Sequence, residues 1–313
     1  MFVRFGLKWS VVALSVFGFT QVSLAASDTP AMPEVAITFD DLPSHGPLPL
    51  GVTRADIAQG IVDALRRENA PPIYGFVNAI GIKWDPSAAK ALQIWRDAGN
   101  LLGNHTLSHF DPNAISAEAF EDDVLADEPT LKTYMGDADW HWLRLPFLRE
   151  GDTPEKRARI SAFLEQHGYR IADVTIGFND YDYNPPYVRC LAKNDQAGIE
   201  WLKVHYLKAA ADAIATSQAE ANKVFGRDIK HVFLLHIGAF DALMFPAVLD
   251  LLKARHFKLI TLPEAQSDPA YATYADVKAE WGGSLLQRAM AARNITMPPG
   301  PGNLSAQINA LCQ

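Results

Sequence analysis

The chain has 313 residues, 49% of them hydrophobic and 20% charged, which fits an ordinary globular protein with one large domain and a modest extension. Its formal net charge is −8; such a surface repels polyanions and argues against nucleic acid as a partner.

Residues 1–25 read as a signal peptide. Arg4 and Lys8 precede an apolar run, Trp9 to Phe19, and no acid accompanies them. The run falls short of the ~18 residues a membrane span needs. Ser23-Leu24-Ala25 then offers small residues at the −3 and −1 positions of a cleavage site. An uncleaved anchor is the alternative. Cleavage implies export, to the periplasm or beyond, and leaves no later segment apolar enough to cross a membrane. It also removes Arg4 and Lys8 but no acid, so the mature net charge becomes −10. A neutral or cationic substrate is easier for such a surface to accommodate.

After the leader, short β-rich runs alternate with helical stretches. The first strand is expected at Val35–Phe39, followed by a helix from the capping Thr53 to Asn69. A strand at Ile73–Asn78 precedes a helix from Asp85 to Ala98, closed by Gly99. A strand at Leu101–Gly103 precedes a helix from Ser116 to Tyr134. Trp142–Leu145 is the fourth strand; Thr153-Pro154 opens a helix that Gly168 closes. Strands at Arg170–Ile176, Val232–His236 and Phe257–Thr261 complete the set. Repeated β-then-α units predict a parallel sheet, closed into a distorted (β/α)7-type barrel over residues 30–265.

Two parts deviate from the alternation. Asn194 to Gly226 is a long Ala-rich helical insertion. Residues 266–313 form an extension, helical over Ala275–Arg293 and then Pro/Gly-rich over Pro298–Gly302. Cys190 and Cys312 are the only cysteines. Export permits a bridge between them that would pin the C-terminal tail; two unpaired thiols are the alternative. Asn104-His105-Thr106, Asn294-Ile295-Thr296 and Asn303-Leu304-Ser305 each fit a glycosylation pattern, cheap to match by chance.

In a parallel barrel the reactive groups collect where strands end at their C-terminal side. The first strand ends in Asp40-Asp41 and the third runs into His105-Thr106-Leu107-Ser108-His109. The fourth ends in Arg144-Leu145-Pro146-Phe147 and the sixth in His236. If Thr106 starts a helical turn, His105 and His109 project on one side and can share a cation. Two histidines and a carboxylate suit Zn²⁺ with open positions for water and substrate. Of two adjacent carboxylates, one can be a ligand and the other can meet the attacking water. Arg144 could hold that second carboxylate ionised, and His236 is a candidate general acid. For each taken singly the bland reading is a turn acid, a structural ion pair or a core histidine. His45, in the Pro-rich loop after the acids, is a candidate substrate contact. His141, His167, His205, His231 and His256 have no such company. Trp140, Trp142, Tyr181 and Tyr183 could stack on sugar rings or pack in the core.

Thr38-Phe39-Asp40-Asp41, His105 through His109, Arg144 through Phe147 and Leu234-Leu235-His236 resemble, in order and spacing, the motifs of the polysaccharide deacetylase family. This is the NodB-homology domain, or carbohydrate esterase family 4. The resemblance runs from about Val35 to Glu264. It implies Asp40 as base, Asp41, His105 and His109 as ligands of one divalent ion, most naturally Zn²⁺, and Arg144 as the residue orienting the base. It implies the Phe147 amide as an oxyanion donor, His236 as the acid, and Leu234 beside the acetyl methyl. The expected substrate is an N-acetylated carbohydrate of chitooligosaccharide or peptidoglycan type. Two motifs depart from the family. Phe147 stands where a Tyr is usual. Asn179-Asp180-Tyr181-Asp182-Tyr183 is a poor match to Asp-x-x-Asp-Trp, with Asp182 expected to tether Arg144 and Tyr183 to replace the Trp. The competing functions are an O-acetyl esterase or small-amide hydrolase on the same site, and a non-catalytic glycan-binding protein.

Overall fold

A computed structural model describes residues 1–3, 6, 32–274, 282–296 and 304–313. Most of the leader, residues 275–281 of the expected extension helix, and the Pro/Gly-rich stretch lie outside the described residues.

The core is a curled parallel sheet. Its strands are β1 (Glu34–Leu42), β2 (Tyr74–Val77), β3 (Leu101–Asn104), β4 (Trp142–Leu143), β5 (Arg170–Ile171), β6 (His231–His236) and β7 (Lys258–Leu259). The order is β5-β4-β3-β2-β1-β6, and β7 joins the N-terminal end of β1. β1 is central and nearly all buried. Parallel strands covered on both faces need a nearly continuous apolar run, which Val35 through Phe39 supply with only Thr38 polar. The sheet curls until its ends meet: after β5 the chain crosses to β6, where Ile176 bridges Phe233. The segment expected as one strand, Arg170–Ile176, therefore pairs with β4 at its start and with β6 at its end. This is the distorted, parallel barrel-like architecture the sequence predicted. Gly103 lets β2 and β4 pack closely against β3, because a Cβ there would lie 2.6 Å from the Phe76 ring and 2.7 Å from the Trp142 carbonyl.

Helices cover the outside. Arg54–Arg67 begins at a Thr53 capping box, which satisfies donors the first turn would otherwise leave open. Ala117–Met135 and Pro154–Gln166 follow. The Ala-rich insertion is one helix, Gln196–Phe225, capped by Asp195 and ended by Gly226 in the left-handed region. Asn184–Ala192 and Ala239–Ala254 are helices the sequence reading did not single out. The extension folds back as helices Leu285–Ala292 and Ser305–Ala310. Cys190 and Cys312 form a disulfide that ties this tail to helix Asn184–Ala192. Trp140 and Trp142 are buried and serve the core. Among the described residues, no helix is long and apolar enough to cross a membrane.

Candidate active site

The rim at the C-terminal ends of β1, β3 and β6 gathers the expected polar residues. The β1–β6 register sets Asp40 beside His236. Backbone strain concentrates here. Asp41, Thr106, His109, Phe147 and Leu148 all take φ between 53° and 67°. For a β-branched residue such as Thr106 this is a true outlier, and such strain persists only where surrounding bonds over-determine it. Those bonds are present. The Asn78 amide donates to the carbonyls of His105 (2.6 Å) and Thr106 (2.9 Å). Asp123 accepts from Ser108 N–H at 3.0 Å, and Thr106 Oγ1 accepts from His109 N–H at 3.1 Å. The helical turn expected at Thr106 does not form. The two imidazoles converge instead because left-handed residues fold the loop back on itself.

Asp41 Oδ1 lies 3.5 Å from His105 Nε2 and 3.6 Å from His109 Nε2. One ligand atom from each of the three residues falls within 4.8 Å of the others. His105 Nδ1 donates to the Arg144 carbonyl at 2.7 Å, which leaves the Nε2 lone pair facing Asp41. Burial pushes His105 down to about 4, and burial together with His105 does the same to His109; both rings are neutral at pH 7. Burial alone would raise Asp41, but the His45 hydrogen bond and the surrounding histidines hold it far below the usual carboxylate range. Two neutral imidazoles and one ionised carboxylate, with lone pairs aimed at a common point, fit a divalent ion of the zinc type. His45, weighed from sequence only as a substrate contact, reaches Asp41 Oδ2 through Nδ1 at 3.1 Å. It thus fixes the carboxylate from behind.

Asp40 and Arg144 form a buried pair. The guanidinium meets Asp40 Oδ1 at 3.2 Å, Thr38 Oγ1 at 3.1 Å and the Ala172 carbonyl at 2.8 Å. It also sits 4.7 Å from the centre of the Phe76 ring. Burial raises Asp40 to about 6 in spite of Arg144, a value suited to a base working near neutrality. Asp182 does not tether Arg144. Its Oδ2 accepts from Ser305 Oγ of the tail helix at 2.6 Å.

The residue missed from sequence is Asp180. Its Oδ1 accepts from His236 Nδ1 at 2.8 Å and its Oδ2 from the His236 backbone N–H at 2.6 Å. Burial opposes a charged His236, but Asp180 outweighs it and lifts the ring to about 10. Nε2 is then the nitrogen left for a substrate. Behind Asp180 stands a second buried acid, Asp241, whose Oδ1 accepts from Tyr206 Oη at 2.9 Å. Burial and the adjacent Asp180 push Asp241 well up. Room for it comes from Gly238, where a Cβ would lie 2.4 Å from Asp241 Oδ2.

That Asp180 rather than Asp182 faces the site has a geometric cause. Asp180–Tyr183 is a 3₁₀ turn, and in such a turn residues i and i+3 face the same way. Asp180 and Tyr183 therefore point inward and are fully buried. Tyr183 stacks on Phe240 at 6.0 Å between ring centres and packs in the core while still touching the cavity. Tyr181 is the exposed aromatic, 5.1 Å from the His236 ring. Phe147 is also exposed, its ring 4.7 Å from that of His109. Leu234 lines the cavity next to them. Asn104, within the first glycosylation pattern, is fully buried with its amide bonded to Val124 O and Tyr169 Oη, and so offers no acceptor. These groups open into a cavity of about 1020 Å³.

The polysaccharide deacetylase family model matches residues 27–172. That match spans just under half of the chain. Among solved structures, the chitin deacetylase of the fungal pathogen Colletotrichum lindemuthianum is 22% identical, with a TM-score of 0.50 over 76% of this chain and 89% of its own. At that identity the likeness shows the fold. Bacillus subtilis PdaA, a family 4 carbohydrate esterase, is 16% identical (TM-score 0.49; 75% of this chain, 81% of its own). A family 4 pseudoenzyme from Bacillus anthracis is 13% identical (TM-score 0.48; 75% and 66%). No curated protein matches. The matched segment contains the Asp41, His105, His109, Asp40 and Arg144 cluster. It stops short of Asp180 and His236, so the acid side of the site lies beyond it.

Proposed function

We propose that the chain hydrolyses N-acetyl groups from an amino-sugar oligomer or polymer of chitooligosaccharide or peptidoglycan type, with one divalent ion. The observation that carries this reading is a base, Asp40, and an acid, His236, paired in register on adjacent strands, beside three convergent metal-ligand candidates.

Asp41, His105 and His109 would hold the ion, which when bound polarises a carbonyl and acidifies water. The chain's own residues do the rest. Asp40 takes the proton from the attacking water, while Arg144, bonded to both carboxylate oxygens, holds Asp40 in place. The Phe147 N–H would donate to the oxyanion that develops at the carbonyl. His236, kept protonated by Asp180, delivers its Nε2 proton to the leaving nitrogen, giving acetate and a free amine. Leu234 offers an apolar surface for the methyl group.

The test is acetate release from N-acetylglucosamine oligomers by the purified chain, stripped of metal and then reloaded with zinc. Zinc is expected to restore release, and Asp40→Asn to lower it by about 10²–10⁴-fold while still binding zinc. Release only from acetyl esters would replace this reading with an esterase. Failure to bind a divalent ion would sink it. We further infer export, supported by residues 1–25 and by a disulfide that an oxidising compartment would maintain; recovery of exported protein beginning at Met1 would refute cleavage.

A further inference from the structure

The cavity does not end at the catalytic rim. It continues along helix Gln196–Phe225, past Ser217 and Glu220, to Gln287 of the extension. Its depth follows from the register. Ser217 Oγ donates to the Thr175 carbonyl at 2.7 Å, Thr175 N–H donates to Val232 O, and Val232 is partnered to Ala36 of β1. Ser217 therefore stands at the level of Ala36, about 13 Å below Asp40 at ~3.3 Å per residue. Glu220 lies on the next turn of the same helix.

Glu220 is only 5% exposed, and its side chain lines the cavity. Among the described residues no hydrogen bond or ion pair engages its carboxyl, and burial alone perturbs it, pushing it up. Cations on the same helix and on the facing one have other partners: Lys223 donates to the Thr296 carbonyl at 3.0 Å, and Arg288 pairs with Glu150 at 2.6 Å. A largely buried carboxyl without a protein partner is costly, and the cavity that it lines is where a ligand can reach it. A compact cation carried on a neutral, hydroxylated body fits a lining of Ser217, Thr216 and Gln287.

We propose that Glu220 forms a second sugar subsite, which takes a ring already bearing a free amine and sets its ammonium against the carboxylate. This rests on the N-deacetylase reading of the rim, since free amines are what that reaction leaves on the chain. The site would then favour partly deacetylated substrate, with an acetylated ring at the rim and an amine-bearing ring deeper in.

Calorimetric titration of the zinc-loaded protein with a glucosamine tetramer and with an N-acetylglucosamine tetramer tests this, on wild type, Glu220→Gln and Glu220→Asp. Loss of one charge-assisted contact should weaken glucosamine-tetramer binding by about 10–100-fold in Glu220→Gln. Binding of the acetylated tetramer should change little. Glu220→Asp keeps the charge, so its preference for the amine should survive and guard against a misfolded Gln variant. Equal binding of the glucosamine tetramer by wild type and a folded Glu220→Gln would overturn the subsite. Acetate release by the wild type in parallel separates the two readings: glucosamine binding that depends on Glu220, without acetate release, keeps the subsite and removes the deacetylase assignment.

Discussion

The two halves of the rim are built in different ways. The metal half draws on two loops: Asp41 follows Asp40 at the end of β1, and His105 and His109 share the short loop after β3. Its precision comes from backbone. Left-handed φ values at Asp41, Thr106 and His109 aim the side chains, and buried side chains hold that strain in place. The acid half is assembled from more elements. His236, Asp180, Asp241 and Tyr206 come from separate elements, and their bonds span up to 56 residues. There the backbone is ordinary, and precision comes from buried carboxyls whose charge is managed by neighbours. The contrast implies that a substitution in one half should leave the other half's readout nearly untouched.

Asp180→Asn should produce the largest effect. It removes the charge that keeps His236 protonated but preserves the shape. General-acid assistance is worth about 10²–10⁴-fold, so kcat should fall by about that range while zinc affinity stays unchanged. The sign of the pH effect is fixed: His236 works protonated, and Asp180 raises it. Without Asp180 the alkaline limb of the pH–rate profile should move to lower pH. An unmoved limb would show that Asp180 does not govern the acid.

His45→Ala probes the other half. Its Nδ1–H orients the far oxygen of Asp41, and loss of such an outer partner typically costs about 10–100-fold in metal affinity. Competition with a zinc chelator should show that loss. At saturating zinc the alkaline limb should stay in place, since Asp180 and His236 are intact. A shifted limb with undiminished zinc affinity would mean that His45 belongs functionally to the acid half.

The same contrast explains what the sequence made legible. Asp40, Asp41, His105, His109, Arg144 and His236 sit at strand ends, where chain order and rim position coincide, so a linear scan finds them. Asp180 was hidden because its turn repeats Asp and Tyr alternately, and only the 3₁₀ geometry decides which member of each pair faces in. Arg144 was placed by its strand, but its contacts with Thr38 and Ala172 depend on the curl of the sheet. The role of the insertion and the extension as walls of one cavity could not be read from either segment alone, because it arises from their packing on each other. The predicted disulfide alternatives were resolved by that same packing.

Asp127 tests whether backbone support truly underlies the metal half. It is fully buried in helix Ala117–Met135, where its Oδ1 accepts from Ala79 N–H at 2.9 Å and its Oδ2 has no partner. Through Ala79 it holds the segment whose Ile80 N–H binds the Leu107 carbonyl between the two histidines. Burial raises Asp127 to about 8. A folded-state pKa above the unfolded one means that the folded protein binds the extra proton. Stability from this group is thus fully present below about pH 4 and declines as pH rises toward 8, by at most about 1.4 kcal/mol per pH unit. Asn keeps the acceptor for Ala79 and cannot ionise. Asp127→Asn should therefore flatten the stability profile between pH 4 and 8, read as urea midpoints, and leave zinc affinity near the wild-type value at pH 6. A profile as steep as wild type would show that the decline comes from other groups. A collapse of zinc affinity in a stable variant would show that the ionised carboxylate, rather than its hydrogen bond to Ala79, maintains the loop.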